Sequence, residues 1–160
     1  MNVEYDPEDF QLDHAEAIAA IIELKGYAVE PVRADPEAGR PTYSYTIGLE
    51  DLISHPELLI VGLDGEMASR LAEEFVDHLL NGGELPVSQP FVGMLGPDLP
   101  CVLLPVDVEV YASWFAGVAD HYAHRPFRML QLVYPDAAGR FPWQSDADAA
   151  VMGSQVVLGG

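Results

Sequence analysis

His55-Pro56-Glu57 is the first place in this sequence where side-chain types and spacing suggest chemistry. Histidine changes charge near neutral pH and serves as acid, base or ligand, and a carboxylate two positions on can orient it. The tripeptide lies between two β-prone runs, so it is expected in a loop at a sheet edge, where sites gather. The plainer reading is a histidine that bonds to backbone and shapes the turn before a strand, since one such tripeptide carries no mechanism of its own. Gly139-Arg140 followed by Trp143 is the second candidate. A guanidinium offers a planar fork of donors suited to a carboxylate or phosphate. An indole can stack on a flat ligand or on Arg140 itself. Here the plainer reading is a hairpin glycine, an arginine paired with a nearby aspartate and a tryptophan plugging the core.

His121 and His124 lie three apart near the end of a predicted helix. That spacing can hold a metal if His78 or His55 supplies a third ligand. Histidines at a helix end also answer the helix dipole, so no metal site is assigned and this pair stands only as the alternative. Asp107/Glu109 and Asp146/Asp148 read as caps or solvated charge, and Cys101 as a buried strand residue. Lys25 is the only lysine. The six arginines, at 33, 40, 70, 125, 128 and 140, are expected to pair with carboxylates in so acidic a chain. If several converged, they would form one anion-friendly pocket. The sequence has no Walker loop, Rossmann glycine fingerprint, His-Glu-x-x-His, Gly-x-Ser-x-Gly or paired Cys-x-x-Cys. It names no cofactor.

The elements that must position these residues follow from periodicity and punctuation. Asp13-His14-Ala15-Glu16 reads as a capping box, opening a helix with Leu12, Ala15, Ile18, Ala19 and Ile22 on one stripe and Gly26 at its end. Residues 27–32 and 43–49 are β-prone and flank a Pro/Gly-rich turn, so an antiparallel pair is expected. Residues 58–63 are almost wholly apolar, as in a strand covered on both faces. Asp64 is placed to cap a second helix, with Met67, Leu71, Phe75, Val76 and Leu79 on one stripe. Residues 91–95 and 101–106 read as strands, 107–122 as a third helix facing inward through Tyr111, Trp114, Phe115, Val118 and Tyr122, and 127–134 as the last strand.

The expected fold is α+β, with about three helices on one mixed, mostly antiparallel sheet or half-barrel. A parallel pairing of 58–63 with a later strand is open. With no repeat or linker, residues 1–160 are expected to form a single domain, flexible at 1–11 and 145–160.

Composition narrows the partners. At 160 residues and 49% hydrophobic, the chain can bury a real core. Its apolar runs are too short to span a bilayer. The acidic first ten residues lack an apolar stretch, so no signal peptide is expected. One cysteine allows no internal disulfide. These features lead to a cytoplasmic expectation. A net charge of −19, from 7 basic and 26 acidic side chains, argues against nucleic-acid backbones and anionic membranes. Solubility is the plain account of that charge, and a basic protein partner the sharper one.

Several separated motifs carry a resemblance. They are Tyr45-Thr46-Ile47-Gly48-Leu49, His55-Pro56-Glu57-Leu58 and Gly62-Leu63, then Leu130-Gln131-Leu132-Val133-Tyr134-Pro135-Asp136, Gly139-Arg140 and Pro142-Trp143. In this order, over about residues 26–143, the chain resembles a bacterial family catalogued as domain of unknown function 4262. The resemblance implies no reaction, cofactor or catalytic residue. It implies that the matching polar residues lie close together. The expected site is therefore one pocket for a small anionic molecule. Arg140 would grip the anion and Trp143 stack, Tyr45 and Gln131 would hydrogen-bond, and His55 with Glu57 would orient the ligand or exchange a proton. The alternatives are an acidic protein-interaction or inhibitor-like module without catalysis, or a metal-dependent enzyme built on His55 and the helix histidines.

Overall fold

Glu57–Val61 and Met129–Val133 show no polar/apolar alternation, and both become central strands buried at every position. They are β3 and β5 of an open five-stranded sheet. The others are β1 (Ala28–Val32), β2 (Tyr43–Ile47) and β4 (Val102–Val106), and the order across the sheet is β1-β2-β3-β5-β4. The computed structural model describes residues 7–160, apart from the side chains of residues 7–13 and 150–152. Four strand pairs run through the sheet, and only β3 with β5 is parallel. The fold is thus α+β, with a mixed, mostly antiparallel sheet and helices packed against it. The parallel partner of β3 is not the next strand in sequence but the one after it.

One sheet face carries Leu58, Ile60, Leu103, Leu130 and Leu132. It packs on α3 (Gly65–Leu80), which buries Ala68, Leu71, Ala72, Phe75 and Val76. Each large side chain there contributes about 1.5–3 kcal/mol by leaving water. Asp64 caps α3 as expected, its carboxylate accepting from Met67 N at 2.8 Å. The other face carries Tyr43, Tyr45, Leu59, Val61 and Met129, packed with Phe115, Val118 and Tyr122. Helices α1 (Pro7–Lys25) and α4 (Ala116–His121) lie over this second face.

Three local expectations need correction. α1 begins at Pro7, so Asp13 is interior to it and no capping box starts there. Residues 1–6 of the expected flexible N-terminus lie outside the described residues. Residues 91–95 form no strand. A single bridge, Phe91 to Cys101, precedes a turn in which Gly93 N donates to Gly96 O. Residues 107–122 are not one helix: Asp107 caps a turn through Glu109 N and Val110 N, a 3-10 turn spans Ala112–Trp114, and α4 follows. The aromatic residues still face the core, so packing was kept while helical continuity was lost.

Two short helices complete the chain, α2 (Leu49–Ile53) and α5 (Ala149–Ser154). After α5 the chain runs back along the sheet, held by two glutamines. Gln155 exchanges side-chain hydrogen bonds with the backbone of Tyr134, at 2.9 and 2.8 Å. The buried Gln131 amide donates to Val156 O at 2.8 Å, and its carbonyl accepts from Leu158 N and Gly159 N.

Candidate functional site

Glu57 opens β3 and is 0% exposed. Gly48 takes a left-handed φ of 117°, and a Cβ there would meet Gly26 O at 2.7 Å, so the chain turns into α2 only through glycine. Gly48 supplies no side-chain cap. Glu57 does that from further along the chain: its carboxylate accepts from Gly48 N and Leu49 N, each at 3.1 Å, and from Thr46 Oγ1 at 2.9 Å. Thr46 Oγ1 in turn accepts from Leu58 N at 2.8 Å. The Tyr122 hydroxyl, at the end of α4, donates to the same carboxylate at 2.5 Å. Burial pushes the Glu57 carboxyl above its ordinary range, while these donors pull the other way. Burial and the neighbouring carboxylate push the Tyr122 phenol up. Motif residues 46–49 and Glu57 are thus one buried network joining β2, α2, β3 and α4.

His55 precedes this network. Its Nδ1 donates to Pro56 O at 2.8 Å, and its ring meets Phe75 edge-on at 5.6 Å. With Ile53, Leu79, Gly83, Glu84 and Leu85 it lines a hollow of about 310 Å3. Arg140 and Trp143 do not line that hollow. β3 and β5 are parallel, with Glu57 opposite Met129. His55 therefore lies at the leading end of the pair, and Asp136, Arg140 and Trp143 follow the trailing end. There Asp136 accepts from Ala138 N and Arg140 N at 2.9 Å and from Asp148 N at 2.8 Å. These bonds and the Arg140 guanidinium hold its carboxyl below the usual range. Arg140 lies 3.9 Å from Asp136 and 3.5 Å from Asp146, and donates to Asp146 O. Trp143 stacks on Phe141 at 4.8 Å, not on Arg140, and is 55% exposed.

Tyr45, Leu59, Gln131 and Leu104 are register partners across four strands. Tyr45 and Gln131 therefore share a sheet face, with Leu59 between them. His55 and Glu57 are thus neighbours only along the chain, with separate partners, and Tyr45 and Gln131 share a sheet face without touching the same group. The structure does not bring either pair together with Arg140 and Trp143. Arg40, Arg70, Arg125, Arg128 and Arg140 do not gather in one pocket either: Arg70 and Arg140 lie against carboxylates near them in sequence, Arg125 and Arg128 against Asp51 and Glu50 of α2, and Arg40 against Ser113 and Trp114. Among the described residues no three His, Cys, Asp or Glu side chains gather as a metal-ligand set, so His121 and His124 lack the third ligand that pairing needs. His121 has the Asp51 carboxylate 3.7 Å from Nε2.

A different hollow, of about 520 Å3, lies over Tyr45 and Ile47. α1 forms one wall with Ala15, Ile18, Ala19 and Ile22, and α4 the other with Gly117, Asp120 and His121. Glu30 on β1 and His14 on α1 close one side, where His14 Nε2 reaches both Glu30 oxygens at 2.9 and 3.0 Å. Gly117 N donates to the Tyr45 hydroxyl at 3.3 Å, and a Cβ at Gly117 would approach that oxygen to 2.9 Å. Glycine in α4 thus lets the phenol sit beneath the helix. Of the hollow's lining, Tyr45 and His121 are also singled out from the sequence, Tyr45 for a pocket with His55 and Arg140 and His121 as a metal-ligand alternative. The apolar stripe of α1 reads as core, and Glu30, Gly117 and Asp120 belong to no motif.

A family model described as a domain of unknown function, DUF4262, matches residues 21–148. No curated protein and no solved structure matches the chain. Among the described residues no helix is long and apolar enough to cross a membrane.

Proposed function

We propose, for a chain that belongs to the DUF4262 family, that the domain binds a small molecule with a largely apolar body in the groove between α1 and α4. The observation that carries this reading is the hollow of about 520 Å3 above Tyr45 and Ile47, with an apolar α1 wall and a few polar groups from β1 and α4. Small-molecule sites have this size and this division of labour. The reading keeps the small ligand and the Tyr45 contact expected from the sequence, within one domain, and moves the site. An anion beside His55 and Arg140 has less behind it, because Arg140 is engaged by Asp136 and Asp146 and because Glu57 and Gln131 spend their hydrogen bonds on the chain itself. No reaction and no cofactor form part of this reading.

The test is an amide NMR screen with small apolar compounds. Binders are expected to shift Ile47 and Gly117, and Ala19→Trp, which fills the groove, is expected to abolish the shifts. Binders that leave these amides unmoved, or that bind Ala19→Trp as well as wild type, would overturn the reading. A second reading, an acidic module meeting a basic protein, draws on the outer face of α3, where Glu66, Glu73, Glu74 and Asp77 are exposed. It requires association that weakens steeply with salt and survives Ala19→Trp.

A further inference from the structure

We propose that the ligand of this groove carries a basic nitrogen, an ammonium met by the carboxylates of Glu30 and Asp120 while its carbon skeleton lies on Ile18, Ile22 and Ile47. This rests on the groove reading above and adds the ligand's charge. The two carboxylates come from different elements, β1 and α4, and both line the hollow. Both also lie near enough to the Tyr45 phenol to help burial, the larger cause, push its pKa up. A protonated phenol whose oxygen already accepts from Gly117 N keeps its own proton for a ligand acceptor, so the floor is polar at one point only.

The cations nearby are few. Among the described residues no lysine or arginine lines the groove. His14 lies at the mouth, 53% exposed on its side chain, and shares Glu30. His121 lines the α4 wall with its Nε2 buried and not hydrogen-bonded, 3.7 Å from Asp51, which Arg125 also approaches. Among the described residues no basic side chain forms an ion pair with Asp120. A carboxylate ligand would therefore meet two carboxylates, inside a chain of net charge −19. An ammonium meets complementary charge at the rim and apolar surface below it, and the field of the whole protein raises the local concentration of cations. Bonds to charged groups are the stronger ones, and they weaken with salt where exposed.

Hexylamine, hexanol and hexanoate separate the two ideas, since they share a skeleton and differ in charge. Each is titrated by NMR, at low salt, into wild type, Glu30→Gln, Asp120→Asn and Ala19→Trp. Hexylamine is expected to bind about tenfold or more tighter than hexanol, with hexanoate weakest. Glu30→Gln and Asp120→Asn are each expected to narrow the amine–alcohol gap severalfold and to leave hexanol binding in place, which also reports that the variants are folded. Equal binding of amine and alcohol, or a gap that survives both substitutions, overturns the ammonium and leaves the groove reading standing. Failure of all three compounds to shift Ile47 and Gly117, or binding that persists in Ala19→Trp, overturns both.

Discussion

Glu57 and Asp136 sit at opposite ends of the parallel pair β3/β5 and do similar work with opposite electrostatics. Each carboxylate gathers backbone N–H groups and fixes a turn, Glu57 at the start of α2 and Asp136 after β5. Glu57 is wholly enclosed, and its strongest donors are the Tyr122 and Thr46 hydroxyls and two amides. Asp136 has three amides and a guanidinium beside it. Burial raises the first carboxyl, and the donors lower the second. The number of hydrogen bonds therefore does not decide the direction. What decides it is which is larger, the cost of burial, as at Glu57, or the backbone donors, as at Asp136, with the Arg140 charge adding the least. The contrast also bears on function: the donors at both ends belong to the chain, so these two motif carboxylates are occupied in holding the fold.

Glu57→Ala is expected to have the largest effect. It removes the acceptor for Thr46, Tyr122, Gly48 N and Leu49 N in a sealed site, and should cost about 3–5 kcal/mol in urea denaturation. Asp136→Ala should cost less, because its turn lies nearer to solvent and water can take over the amides. An Asp136→Ala loss equal to or larger than that of Glu57→Ala would break the comparison. Tyr122→Phe comes next. It deletes one hydroxyl donor to a carboxylate, worth about 1.5–3 kcal/mol, and leaves α4 packed through its ring. A Tyr122→Phe protein as stable as wild type would mean that this bond contributes nothing.

The smallest effects are in pH dependence. The Glu57 pKa is raised in the folded state, so its contribution is full below the ordinary carboxyl range and is lost as pH rises through the raised value. The Asp136 pKa is depressed, so its contribution is full above the ordinary range and is lost as pH falls through the depressed value. Urea midpoints measured across pH should lose the first slope in Glu57→Gln and the second in Asp136→Asn. If both variants flatten the same limb, the two carboxylates do not differ in the way described.

Where a signal and its cause lie within a few residues, the sequence was legible. The α3 stripe, its Asp64 cap and the unbroken apolar run of β3 are such cases, because each depends on neighbours one turn or one strand away. α2 was not legible. Its five residues have no local cap, and the acceptor that starts it is Glu57, on the next strand. The split of residues 107–122 was hidden for a similar reason: Tyr43 and Tyr45 hold Trp114 and Phe115 by ring contacts that come from another part of the chain. For the candidate site, Tyr45 was readable as an aromatic with a polar tip. Glu30, Gly117 and Asp120 were not, since a single carboxylate or glycine carries no spacing to notice.

By itself the sequence determined the α+β class, the apolar strand covered on both faces at 58–63, the charge of −19 and the family motifs, all of which follow from residue type and short-range order. Only the tertiary structure decided what the motif residues do. A glutamate or a glutamine reads the same whether it faces water, a ligand or an amide. Chain-distant atoms closed Glu57 around α2 and Gln131 around residues 156–159, and left Arg140 and His55 at different ends of the sheet. The same packing set α1 apart from α4 above Tyr45, and that separation, written in no single stretch of residues, is the groove.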